Sequence, residues 1–227
     1  MGARDPQPKR CSTVLALCLL PSIGLVVSSG AASSAAAARS ANSAVVVPLS
    51  YPGHCPSGGG MCRRRIPTSI RSRPIRLPNL ATGADCPALS GATVTHPGMA
   101  GVAVGKGFVT AIIGQSGDLA HGTVDLGTSN VAGWYGLKTD WTISPRYSGW
   151  VVVRGKQLDG SGPIAVLGDA TVGAIVIPPG PTANTFAGWR EQPSGAYVKG
   201  PGCYGFQVDG SSFSEHIVVK AVLSTGS

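Results

Sequence analysis

The chain is poor in the residues from which most recognisable catalytic motifs are built. Charged side chains make up 12% of its 227 residues and aromatic ones 6%, which excludes long surface helices laced with i,i+4 ion pairs. Only two glutamates occur, Glu191 and Glu215, so a paired-carboxylate glycosidase would have to draw on aspartates most of which fall at turns. There is no Gly-x-Ser-x-Gly elbow, the nearest approach being GQSGD around Ser116, and no His-Glu-x-x-His. A phosphate-cradling Gly-x-x-x-x-Gly-Lys-Ser/Thr and a dinucleotide fingerprint are also missing. From Ala81 on, no stretch of ten residues or more carries a helical period. No cofactor and no metal are expected. His54 and Cys55 with Cys62 lack the Cys-x-x-Cys spacing of structural zinc.

What the chain does have is 33 glycines and 18 prolines set among Val, Ala, Ser and Thr, a composition that reads as all-β. Short apolar runs separated by turn residues occur at 107–114 (GFVTAIIG), 123–127 (TVDLG), 149–155 (GWVVVRG), 163–168 (PIAVLG), 173–178 (GAIVIP), 203–208 (CYGFQV) and 216–223 (HIVVKAVL). Seven or eight strands with turns every eight to twelve residues predict an antiparallel β-sandwich over residues 81–227, with an immunoglobulin-like Greek key as its expected form. Asp159-Gly160 and Asp209-Gly210 are expected to be type I′ hairpin turns, because both central residues of such a turn need positive φ. In the last hairpin Tyr204, Phe206 and Val208, with Ile217, Val219 and Ala221 after the turn, form an expected core face. The same phase turns Phe213 and Glu215 inward, so Glu215 needs a bulge or a partner.

The basic surplus lies in the N-terminal third. Residues 1–80 hold ten Lys/Arg against one acid, and 81–227 hold eight against nine. A basic face on the folded part, the footprint of a nucleic-acid binder, is therefore not expected. Residues 1–38 have the grammar of a secretory signal: Lys9 and Arg10, then an apolar stretch from Ser12 to Gly30, then small residues up to Ala38. The competing reading is an uncleaved anchor, which Pro21 and Gly24 weaken. Residues 39–80, with six arginines between Arg63 and Arg76, show no apolar period and read as a flexible Arg-rich linker. The alternative for that stretch is a grip on anionic envelope polymer or lipid headgroups. The membrane is expected to be reached only through an uncleaved signal or through this linker. Once the signal leaves, four cysteines remain, and the favoured pairings are Cys55–Cys62 and Cys86–Cys203, the second closing a loop of more than a hundred residues.

Candidate ligand-binding residues are the tryptophans Trp134, Trp141 and Trp189, whose faces can stack on sugar rings or anchor a protein partner, together with His216 in the run Ser212-Phe213-Ser214-Glu215-His216. Core packing is the competing reading for the tryptophans. No catalytic residue is assigned. The segments WYGLKTDWTISPRYSGWVVVRGKQLDGSGPIAV (134–166) and GWREQPSGAYVKGPGCYGFQVDGSSFSEHIVVKAV (188–222) resemble an uncharacterised family of exported bacterial proteins. The most specific shared mark is the Gly-Cys-Tyr-x-Phe-Gln-x-Asp-Gly…Ser-Phe-Ser hairpin. The resemblance covers about ninety residues; it implies an exported β domain and carries no reaction. The expected function is an exported cell-envelope or extracellular β-sandwich module with a binding or structural role, whose partner is a carbohydrate, an envelope polymer or another envelope protein. An extracellular hydrolase with an active site assembled in space is the alternative.

Overall fold

A computed structural model of the chain describes residues 50–54, 61–89, 92–96, 99–114, 116–166, 173–182 and 185–224. The expected signal peptide and Cys55, and with it the expected Cys55–Cys62 bridge, lie outside those residues.

The fold is all-β. Strands β1 (Ser50–His54) and β2 (Met61–Arg65) form one antiparallel hairpin, and β3 (Ala92–His96) and β4 (Met99–Ala103) another. Between the hairpins, α1 (Thr68–Arg71) is a single turn. The main sheet is built from β5 (Val109–Ile113), β6 (Thr123–Thr128), β7 (Tyr135–Ile143), β8 (Val151–Gln157), β9 (Ile175–Ile177), β10 (Arg190–Val198), β11 (Gly202–Asp209) and β12 (Ser214–Leu223). Their order is β10-β7-β6-β12-β11-β8-β9, with β5 also paired to β7. Pairing is antiparallel throughout the main sheet except between β6 and β12, which run parallel. Strand β6 bends from β12 at Thr123–Leu126 to β7 at Gly127–Thr128 and so belongs to both halves. Bridges Lys156↔Pro163 and Ala165↔Tyr197 lead from β8 back to β10, so pairing passes right around the core.

Alternation explains which side chains fill that core. Trp141 on β7 meets Phe206 on β11 edge-on at 5.6 Å, and both are buried with Leu137, Ile143, Val151, Val153, Tyr204, Ile217 and Val219. The expected core face of the last hairpin is therefore present. Strand β8 is apolar on both faces: Val152 packs away from the main core against Ile66, Ile70, Trp150 and Val176. A strand buried on both sides reads as a continuous apolar run, and VVV at 151–153 does.

The outer cover of β8, β11 and β12 corrects the expected linker. From Arg64 onward the chain is not a loose tether. Ile66 and Ile70 are buried, Leu77 packs with Leu158, Cys203 and Val218, and Cys86 is bridged to Cys203 with Cα atoms 5.4 Å apart. The Leu80 amide donates to Leu158 O at 2.6 Å and the Leu89 amide to Val218 O at 2.9 Å. Two arginines of this stretch act as donors: Arg64 reaches Pro179 O at 2.8 Å, and Arg73 reaches Phe213 O at 2.6 Å and Asp209 at 3.3 Å. An irregular strap needs no periodicity, because each apolar side chain seats in a separate hollow of a surface supplied by other strands. The folded unit therefore starts well before residue 81.

The two Asp-Gly pairs are also corrected. Neither Gly160 nor Gly210 has positive φ. Asp209 is the last paired residue of β11, opposite Ser214, and the loop is the four residues 210–213, closed by the Gly210 amide to Phe213 O at 3.1 Å. Asp159 accepts from the Cys203 amide at 3.0 Å and from Gln157 Nε2 at 3.0 Å. The tight turn with two positive φ values is instead Phe186-Ala187-Gly188-Trp189, where Ala187 has φ 47° and Gly188 φ 83°. Phe186 and Trp189 exchange backbone hydrogen bonds of 3.0 and 2.8 Å across it.

Candidate ligand-binding face

Strands β7 and β10 pair along nine residues, and their inward positions are Leu137, Thr139, Trp141 and Ile143 against Ala196, Val198 and Arg190. Arg190 is buried because its guanidinium donates to Tyr147 O and Gly149 O, both at 3.0 Å, and to Pro178 O. Since strand side chains alternate, the opposite face carries Gly136, Lys138, Asp140 and Thr142 of β7 and Glu191, Pro193, Gly195 and Tyr197 of β10. Strand β5 adds Thr110 and Ile112, opposite Thr142 and Asp140. Strand β10 accommodates Pro193 because it is an edge strand there.

Three features lie on this outer face. The first is a cleft of about 220 Å³ where β6, β7 and β10 meet, with Gly136 and Gly195 among its lining and Lys138, Tyr197, Ser129 and Asn130 around them. The second is a carboxyl pair. Asp140 and Glu191 sit on neighbouring strands two residues apart in register, Asp140 opposite Pro193 and Glu191 opposite Thr142, and their side chains are hydrogen-bonded. Partial burial, then the hydrogen bond and negative charge of Glu191, push the Asp140 carboxyl up to about 7, with Lys138 opposing. Burial and a neighbouring carboxyl both disfavour the charged form of Asp140. Asp140 Oδ1 and Thr110 Oγ1 are buried without a hydrogen-bond partner, while the Glu191 amide is fixed by Thr182 Oγ1 at 3.1 Å. The third is Trp189, half-buried, one position ahead of β10 and in the same odd register as Glu191, Pro193, Gly195 and Tyr197. At ~3.3 Å per residue, Trp189 and Tyr197 stand ~26 Å apart along the strand.

Of the residues expected to bind a ligand, Trp189 alone belongs to this face. Trp141 must be withdrawn: it is 0% exposed, and its Nε1 donates to Thr139 Oγ1 at 3.2 Å, so no face of the ring is open to a ligand. Trp134 is half-buried beneath Lys199, whose Nζ lies 3.8 Å from the ring centroid and donates to Gly133 O at 3.3 Å. It is on the β6–β7 connection that supplies Ser129 and Asn130 to the cleft, but it does not line the cleft itself. His216 is exposed on β12, opposite Gln207, and has no hydrogen bond to a serine or aspartate among the described residues.

The polar run around His216 serves packing. Ser214 Oγ donates to Asp209 at 2.7 Å, and Phe213 packs against Tyr147 and Phe108 at 4.9 and 5.3 Å. Glu215 turns inward as expected and finds a partner, the Phe108 amide at 3.3 Å, while its Oε2 is buried without one. Burial pushes its carboxyl up. Asp209, read from the sequence as a turn residue, is fully buried between Arg154 and Arg73, with Gln207 Nε2 at 2.9 Å. His121 and Asp118 form an exposed pair at 2.8 Å away from any cavity described here. Among the described residues no three His, Cys, Asp or Glu side chains gather as a metal site, and no helix is long and apolar enough to cross a membrane.

Fold and face together define an all-β protein with a disulfide-held strap and an outer surface bearing an aromatic residue toward each end of β10. No family model matches the chain, and no curated protein or solved structure proved detectably similar to it.

Proposed function

We propose that the chain is an exported module of the cell envelope or extracellular space that binds an extended carbohydrate along the outer face of β7 and β10. The observation that carries this reading is the odd register of β10, which sets Trp189 and Tyr197 ~26 Å apart on one face with Lys138, Asp140 and Glu191 between them. Aromatic rings offer a flat apolar surface with polar surroundings, the chemistry that suits the C–H faces and hydroxyls of sugar rings. An elongated strip suits a polymer better than a single small molecule. Export is supported by the signal-like residues 1–38 and by the Cys86–Cys203 bridge, since disulfides persist in oxidising compartments. In this proposal the two halves of the sheet that share β6 are the layers of a β-sandwich of immunoglobulin-like Greek-key type, and the C-terminal segments place the chain with the exported bacterial family they resemble.

A second reading, an extracellular hydrolase, is favoured by one observation, the half-buried Asp140 carboxyl set beside Glu191 and pushed up to about 7, which suits general acid–base work. Titration with neutral β-linked oligosaccharides separates the two. Binding that Trp189→Ala and Tyr197→Ala weaken, with no new reducing ends formed, supports the binding module. Release of reducing ends that Asp140→Asn abolishes supports the hydrolase. No binding and no release refutes both.

A further inference from the structure

One end of the sheet gathers an exposed phenylalanine and cations that no acidic side chain among the described residues pairs. The loops at this end enter β5, β8, β10 and β12 and leave β7, β9 and β11. They carry Lys106, Arg146 and Phe186, all exposed. Arg146 follows Pro145, which lies against Gly188 in the tight turn, and its guanidinium stands 5.8 Å from the Phe108 ring centroid. On the other flank Arg64 binds Pro179 O and lies 5.5 Å over Trp150, beside exposed Arg65. Among the described residues the acidic groups of this end are already engaged: Asp209 is enclosed by Arg154 and Arg73, Glu215 accepts from the Phe108 amide, and Glu191 faces Asp140.

Phe186 is 57% exposed, and the other large exposed hydrophobic residue among those described, Leu223, ends β12 at the opposite end. The backbone of Phe186 is paired. Its turn is closed by two reciprocal backbone bonds and braced by Thr185 Oγ1, which accepts from the Thr182 amide at 2.7 Å. Ala187 sits at φ 47°, a left-handed conformation that costs an L-residue with a Cβ and persists where the surroundings impose it. A strained turn that keeps an aromatic ring in water, at the same end of the sheet as exposed arginine and lysine, matches the pattern of an interfacial anchor: apolar insertion combined with attraction to anionic headgroups.

We propose that this end, through Phe186, Arg146, Lys106, Arg64 and Arg65, docks the folded unit on an anionic lipid bilayer. The occupant is fixed by charge complementarity, since a neutral surface leaves these cations unanswered. The proposal does not depend on the carbohydrate reading, which uses the outer face of β7 and β10.

The test is flotation of the purified full chain with vesicles of phosphatidylcholine alone and with phosphatidylglycerol added. Binding to the anionic vesicles that weakens as salt is raised is expected. Phe186→Ser should lower the partition coefficient at least fivefold, and Arg146→Glu with Lys106→Glu more than tenfold, each basic residue being worth about fivefold near such a surface. Lys220→Glu, a single charge reversal toward the opposite end, should alter binding less than twofold, against at least fivefold for Arg146→Glu alone. Unchanged thermal unfolding of the variants establishes that the fold is intact. Equal binding to both vesicle types, no binding, or variants that float like the parent chain because residues 1–38 or another surface hold it, would each overturn the proposal.

Discussion

Replacing Asp209 should destabilise the fold far more than replacing a turn residue would. Its carboxylate is fully buried and receives Arg154, Arg73, Gln207 Nε2 and Ser214 Oγ. Arg154 is itself 4% exposed, and its other guanidinium nitrogen donates to Arg73 O in the strap. Asp209→Ala leaves a buried guanidinium without its counter-charge, a class of change that costs about 3–5 kcal/mol. A lost turn or cap residue costs only about 1 kcal/mol. With a urea m-value of about 1–3 kcal/mol/M, the midpoint should fall by roughly 2 M, read by the fluorescence of buried Trp141 and Trp150. Arg73→Ala, on a partner whose side chain is 23% exposed, should cost about 1 kcal/mol. The double change Asp209→Ala with Arg154→Met should recover most of the loss, because an apolar replacement of a buried ion pair is often neutral. If Asp209→Ala falls within about 1 kcal/mol of the parent protein, the buried-pair reasoning fails, and with it the claim that Arg154 and Asp209 tie the strap to the sheet.

Two further outcomes follow from the same geometry. Non-reducing peptide mapping should join Cys86 to Cys203, and the Cys86→Ser, Cys203→Ser protein should lose ~4–5 kcal/mol in denaturant titration, since the bridge closes 117 residues. Because the Asp140 carboxyl is raised from 3.8 to about 7 in the fold, its contribution to stability is complete below about pH 4 and is lost as pH rises through 7. Asp140→Asn should remove that decline, about 1–2 kcal/mol once solvent screening of this half-exposed group is allowed for, in unfolding measured between pH 4 and 8.

How much of this was legible in the sequence varied with how cleanly each element alternates. Strand β12 announces itself because Ile217, Val219 and Ala221 are apolar and regularly spaced, and the inward phase of Glu215 follows from the same count. Strands β7 and β10, which form the candidate face, carry no such regular signal. In β7 a threonine, Thr139, shares the inward face with Leu137, Trp141 and Ile143, and in β10 Arg190 points inward while Pro193 and Gly195 break the strand signal. Trp189 was legible as an aromatic of interest. Its neighbours Asp140 and Glu191 were not, because only the pairing register brings two carboxyls so distant in sequence together. Trp141 illustrates the opposite limit: composition cannot tell a buried indole from an exposed one. The strap from Arg64 to Leu80 was missed because its burial depends on hollows and acceptors that other strands supply.

The most direct measurement is backbone NMR of the protein titrated with a neutral β-linked hexasaccharide. Saturable shifts confined to amides of β7 and β10 and to the Trp189 indole, weakened at least tenfold by Tyr197→Ala and by Trp189→Ala, are the predicted result. Absence of shifts, or shifts that leave the outer face of β7 and β10 untouched, would contradict the account.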